Sequence, residues 1–149
     1  MIDIRPGSLR SAVHVIFQFA LIALIYISGS AYPKNYVLLS LYILLIFTGL
    51  WSMYLMKFRF NVSPEPLKGI SILSKGPYRV IRHPMYTSVL GMTLCLVAGE
   101  FSYARIAYWA LLAVNMFLKL SYEEKLLSAA FPSYADYMKR TKRLIPYIF

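Results

Sequence analysis

Apolar residues gather in four runs, Ser11 to Gly29, Tyr36 to Met56, Pro84 to Gly99 and Phe101 to Leu120, each divided from the next by Pro, Gly or charge. Runs of this length without period-two alternation predict helices rather than strands. The second run is long enough to cross a bilayer core and holds no ionisable group other than tyrosine. The third is short, about 24 Å at 1.5 Å per residue, but Gly99-Glu100-Phe101-Ser102 can turn the chain straight back. A hairpin of the third and fourth helices keeps its backbone hydrogen bonds internal within hydrocarbon. After Leu120 the helical pattern runs on to Ala130, and Pro132 suits the first turn of one more helix. In that last segment Tyr134, Tyr137 and Met138 lie near one face, with Lys139, Arg140, Lys142 and Arg143 around the rest, which predicts an amphipathic helix on the membrane surface. The expected architecture is a single all-α integral membrane domain over 1–149, with helices at 11–29, 36–56, 84–99, 101–130 and 132–143 and a polar loop at 57–83.

Composition agrees with the pattern: 59% of the residues are hydrophobic and the mean hydropathy is +0.58, well above a soluble domain of 149 residues. Charge then predicts orientation. Of 16 Lys and Arg, only Lys34 and Arg105 fall in the first and third connections; the other 14 lie toward the amino terminus, the central loop and the tail. By the positive-inside rule both termini and the 57–83 loop are cytoplasmic, with four crossings between. A cleaved signal peptide is the alternative for the first run, but its long apolar core and membrane-embedded sequel favour a retained helix. The net charge of +10 suits anionic headgroups and topology better than nucleic acid. Cys95 is the lone cysteine and histidines number two, so neither an internal disulfide nor a metal centre is expected.

Two clusters carry candidate chemistry. One is the string Gly76 to Tyr86, with Arg79, Arg82 and His83 before the helix-starting Pro84; free amides and cations there would make an anion site. Topology marking and capping explain the same residues without function. The other cluster is Lys119, Glu123 and Glu124. Lys119 and Glu123 are four apart and share a helix face, and adjacent acids near hydrocarbon are costly unless used, although a surface ion pair accounts for them equally well. The hairpin returns both clusters to one membrane face. His14 reads as a lone polar group in the first helix. The 26-residue loop from Lys57 to Arg82, with its apolar Ile70-Ser71-Ile72-Leu73, is longer than a simple connection needs.

Gly76-Pro77-Tyr78, Arg82-His83-Pro84-Met85-Tyr86, Glu123-Glu124, Phe131, Tyr134, Tyr137, Arg143 and Pro146 together resemble the isoprenylcysteine carboxyl methyltransferase and phospholipid methyltransferase family of membrane enzymes. The resemblance implies S-adenosylmethionine as methyl donor, bound between the hairpin and the carboxy-terminal helix. It implies cofactor contacts from Ile70, Ser71, Ile72, Leu73, Tyr78, His83, Pro84, Met85, Tyr86 and Glu123, and catalytic roles for Glu123, Lys119 and Glu124. Lys119 stands where isoprenylcysteine enzymes usually carry an arginine that handles the acceptor, and Ser88 where a glycine is frequent. The implied acceptor is lipophilic, an isoprenylcysteine-like carboxylate or a lipid amine, and a carboxylate would need only a cation such as Lys119. An amine must shed a proton, for which Glu124 is the candidate. A fainter similarity, through the Arg-His-x-x-Tyr element and the Leu144 to Phe149 ending, is to the carboxy-terminal part of NADPH-dependent sterol reductases. A non-catalytic basic membrane protein is the third reading. Oligomeric state is left open.

Overall fold

The computed structural model describes residues 9–57 and 73–148, and among them every regular element is helical. Helix α1 spans Leu9–Ile27, α2 Tyr36–Leu55, α3 Pro84–Gly99, α4 Tyr103–Ala130 and α5 Tyr134–Arg140, with a 3-10 turn at Gly76–Arg79. Local chemistry fixes the ends. Asn35 Oδ1 accepts from the amides of Val37 at 2.9 Å and Leu38 at 3.2 Å, which answers two of the orphan donors at the start of α2. Pro84 opens α3 with the φ a helix wants and no amide to satisfy.

The centre of the molecule is the α3–α4 hairpin, with α2 laid against α3 and α1 against α4. Arg105 Nη2 donates to Ile25 O and Asn115 Nδ2 to His14 O, so α1 and α4 run antiparallel. Leu21 and Ile25 of α1, Tyr42 of α2, Cys95, Leu96 and Val97 of α3, and Leu112 and Met116 of α4 form the buried core. The α2–α3 contact is close because small residues line it: a Cβ on Gly91 would lie 2.7 Å from Leu45 Cδ1, and one on Gly49 3.1 Å from Ser88 Cβ. Without a hydrophobic force between helices in lipid, such close approach is what gains dispersion energy.

Of the described helices, α2 alone is long and apolar enough by itself to cross a membrane, and almost none of it is buried by the rest of the chain. Its outward face carries Val37, Ile43, Leu44, Phe47, Leu50 and Trp51, an apolar surface that water would not tolerate. The apolar stretches of α1 and α3 are shorter. At the end of the hairpin where α3 turns into α4, Glu100 accepts from the Ser30 amide and hydroxyl and lies 3.3 Å from Lys34 Nζ. Those bonds hold its carboxyl at about 2. Arg105, expected in the connection, lies instead inside α4, where its buried guanidinium also binds Glu100 O at 2.9 Å.

The final helix differs from expectation. Instead of 132–143 it covers Tyr134–Arg140, and Thr141 is extended at φ −129°, ψ 156°. The chain leaves the helix because it finds backbone partners elsewhere: Ile81 and Lys142 form a parallel bridge, with Arg82 N donating to Lys142 O at 2.7 Å and Lys142 N to Val80 O at 3.0 Å. Nor do its tyrosines face lipid. Tyr134 and Tyr137 are buried against the protein, and the Tyr137 hydroxyl donates to Tyr78 O at 2.6 Å.

Candidate functional site

The end of the hairpin opposite Glu100 gathers residues of both candidate clusters. His83 occupies the N-cap position of α3, yet its side chain makes no capping bond. The buried imidazole points at α4 instead, with Nε2 3.3 Å from Glu124 Oε1 and Nδ1 3.9 Å from Glu123 Oε2. Tyr86, three residues on and therefore on the same face of α3, meets that ring edge-on at 5.4 Å and donates its hydroxyl to Glu123 Oε2 at 2.9 Å. Lys119 Nζ lies 5.7 Å over the Tyr86 ring and donates to Gln18 Oε1 at 2.6 Å. His83, Tyr86, Lys119, Glu123 and Glu124, drawn from two sequence clusters, thus form one continuous polar track.

The two adjacent acids diverge because successive helical residues point about 100° apart. Glu124, 6% exposed, takes Arg82 Nε at 2.7 Å and His83 on Oε1, and Arg143 Nε at 2.9 Å on Oε2. Burial pushes its carboxyl up, but the bonds from His83 and Arg82 and the Arg82 charge outweigh that and leave it at about 2. Glu123 keeps 28% of its side-chain surface open. Its carboxyl is raised, since the cost of desolvating it outweighs the help of His83, Tyr86 and Lys119, with the Glu124 charge adding to the rise. Both acids lie past Leu120, beyond the apolar stretch of α4. Around them, burial raises the phenols of Tyr78 and Tyr134, helped by the Glu123 charge for the first and those of Glu124 and Glu123 for the second.

Of the groups before α3 that could make an anion site, Arg82 and His83 are engaged by the protein itself. Arg82 N and His83 N donate to Lys142 O and Arg143 O, while the Arg82 guanidinium also holds Met138 O and Thr141 O; Arg79 is exposed. Pro84 is buried, and Met85 and Leu73 are half-buried, with no polar part in the track. Ile70, Ser71 and Ile72 lie outside the described residues. Sequence reasoning missed Gln18 and Asn115. His14 is no lone group, for its Nδ1 lies 2.5 Å from Asn115 Oδ1. The signal available was the spacing: His14 with Gln18, and Asn115 with Lys119, are each four apart in otherwise apolar runs.

A family profile described as phospholipid methyltransferase matches residues 34–133, which include all of α2, α3 and α4. A stretch of 80 residues is 35% identical to the cobalt-zinc-cadmium resistance protein CzcN of Cupriavidus metallidurans, covering 53% of this chain and 37% of that protein. The chain therefore spans well under half the length of that curated relative.

Proposed function

The chain belongs to the phospholipid methyltransferase family, and from that premise we propose that it transfers a methyl group from S-adenosylmethionine to a lipophilic acceptor at the cytoplasmic membrane boundary. We read α1 to α4 as four crossings with both termini and the central loop on the cytoplasmic side. The observation that carries the reading is the meeting of His83, Tyr86, Lys119 and a partly open Glu123 at one end of the hairpin.

The residues fit such a donor. Bound S-adenosylmethionine supplies an electrophilic methyl on a cationic sulfur. The aromatic faces of Tyr78 and Tyr86 favour a cation, and the Glu123 carboxylate can take a ribose hydroxyl or an ammonium. Methyl transfer is an in-line displacement, so the protein mainly aligns the partners and excludes water. An acceptor carboxylate would be oriented by the Lys119 ammonium. If the acceptor is an amine, its proton has a better destination in Glu123 than in Glu124, because Glu123 is raised and open while Glu124 is held at about 2 by its partners.

The test is labelled-methyl transfer from S-adenosylmethionine into a total lipid extract and into a prenylated cysteine analogue. Wild-type protein labels one of them, and Glu123→Gln lowers turnover on the order of 100-fold with folding intact. Undiminished transfer removes Glu123 from the site. A nicotinamide-dependent reductase or a non-catalytic protein labels neither.

A further inference from the structure

The segment beyond α5 lies outside the family-matched residues, yet it is bonded directly to the candidate site. Residues 141–144 run beside the lead-in to α3 as a strap. Three backbone bonds join it to Val80, Arg82 and His83, and Thr87 Oγ1 donates to Leu144 O at 2.8 Å. All of this converges on one carboxylate. Glu124 of α4 binds Arg82 and His83 before α3 with Oε1 and Arg143 of the strap with Oε2, so three separate stretches of chain share a single buried anion. With Arg82 also holding Met138 O and Thr141 O, the strap cannot shift without disturbing the imidazole that faces Glu123.

We propose that Glu124 is a positioning residue: it clasps the 141–144 strap to the start of α3 and so fixes His83 against Glu123. Its role in turnover rests on the methyltransferase reading; the clasp itself does not. The strap is then a working wall of the site, and Arg143 acts through Glu124 rather than on substrate. Nothing in the sequence pattern separated this acid from its neighbour. The distinction is that Glu124 has both oxygens engaged by cations or imidazole, whereas Glu123 meets the Tyr86 phenol and, at 3.9 Å, the His83 imidazole through Oε2 alone and keeps part of its surface open.

Two readouts on the intact chain test it. In detergent micelles, trypsin cleavage after Arg140 or Lys142 reports opening of the strap, because cleavage follows the population of the locally open state. Glu124→Gln and the half-exposed Arg143→Ala are both expected to speed that cleavage at least about tenfold, since the first removes the carboxylate that Arg82 and Arg143 share and the second takes the strap's cation from Oε2. In the same preparations, turnover is divided by the number of sites that bind labelled S-adenosylhomocysteine. A positioning role lowers turnover per site about tenfold or more in both variants, whereas a residue needed only for folding lowers the number of sites and leaves each one as fast as wild type. Unchanged cleavage in Arg143→Ala overturns the clasp, and wild-type turnover per site overturns the positioning role. Should wild-type protein neither bind S-adenosylhomocysteine nor transfer methyl, the methyltransferase reading fails while the cleavage arm still decides the clasp.

Discussion

Glu123 and Glu124 are neighbours in sequence with opposite electrostatics, and their pH behaviour follows with opposite sign. Glu124 titrates in the fold at about 2, below its ordinary 4.5. The stability it contributes is therefore present above 4.5 and lost as pH falls toward 2, amounting to up to about 3 kcal/mol at neutral pH. Thermal unfolding in detergent between pH 6 and pH 3 should show this acid loss in wild type and a flatter profile in Glu124→Gln. Some acid sensitivity will persist in that variant, because Glu100 at the far end is held low as well. Glu123 is raised instead, so the stability it contributes is fully present below its ordinary 4.5 and is lost as pH rises through its raised value in the fold. Glu123→Gln is accordingly expected to match or exceed wild type in melting temperature at pH 7 while losing turnover, the trade expected of a group kept for function. Tyr86→Phe removes the phenol that bonds Glu123 at 2.9 Å and should lower turnover about tenfold without unfolding the chain.

At the scale of elements, the hairpin is pinned at both ends by acids, Glu100 at one and Glu124 at the other. Gly29 is where the first of these pins meets α1: a Cβ there would lie 2.5 Å from Arg105 Nη1 and 2.6 Å from Glu100 Oε2. Arg105 is only 2% exposed and has no room to yield. Gly29→Ala should cost about 1–3 kcal/mol, read as a lower melting temperature, because overpacking here displaces the buried Arg105 guanidinium rather than a flexible tip. The start of α3 was legible because Pro84 dictates its own backbone, whereas the Asn35 cap of α2 emerged only from the structure. The end of α5 was not legible, since Lys139 to Arg143 can continue a helix perfectly well by propensity. Pairing of Lys142 with Ile81, some 60 residues earlier, is what draws the chain out of it.

The molecule as a whole has two charged ends separated by apolar helices, with Lys34 and Glu100 at one and Arg82, Glu124, Arg143 and Lys139 at the other. The proposed orientation makes these the outer and cytoplasmic faces. Lys34 and Lys139 are well exposed, at 77% and 76% of their side chains, and the lone Cys95 is buried. A membrane-impermeant thiol reagent should therefore label Lys34→Cys in intact cells and Lys139→Cys only after permeabilisation. The reverse result would invert the orientation and place the candidate site away from a cytoplasmic cofactor.

By itself the sequence determined the all-helical class, the apolar segments and the two groups of ionisable residues, because these depend on composition, periodicity and the backbone limits of Pro and Gly. Tertiary structure alone decided how the groups combine. Which acid is clasped and which is open depends on helix rotation, the partnership of Gln18 with Lys119 on α1 facing α4, and the strap on contacts between residues far apart in the chain. Side-chain partners across helices are set by packing in three dimensions, and no local pattern encodes them.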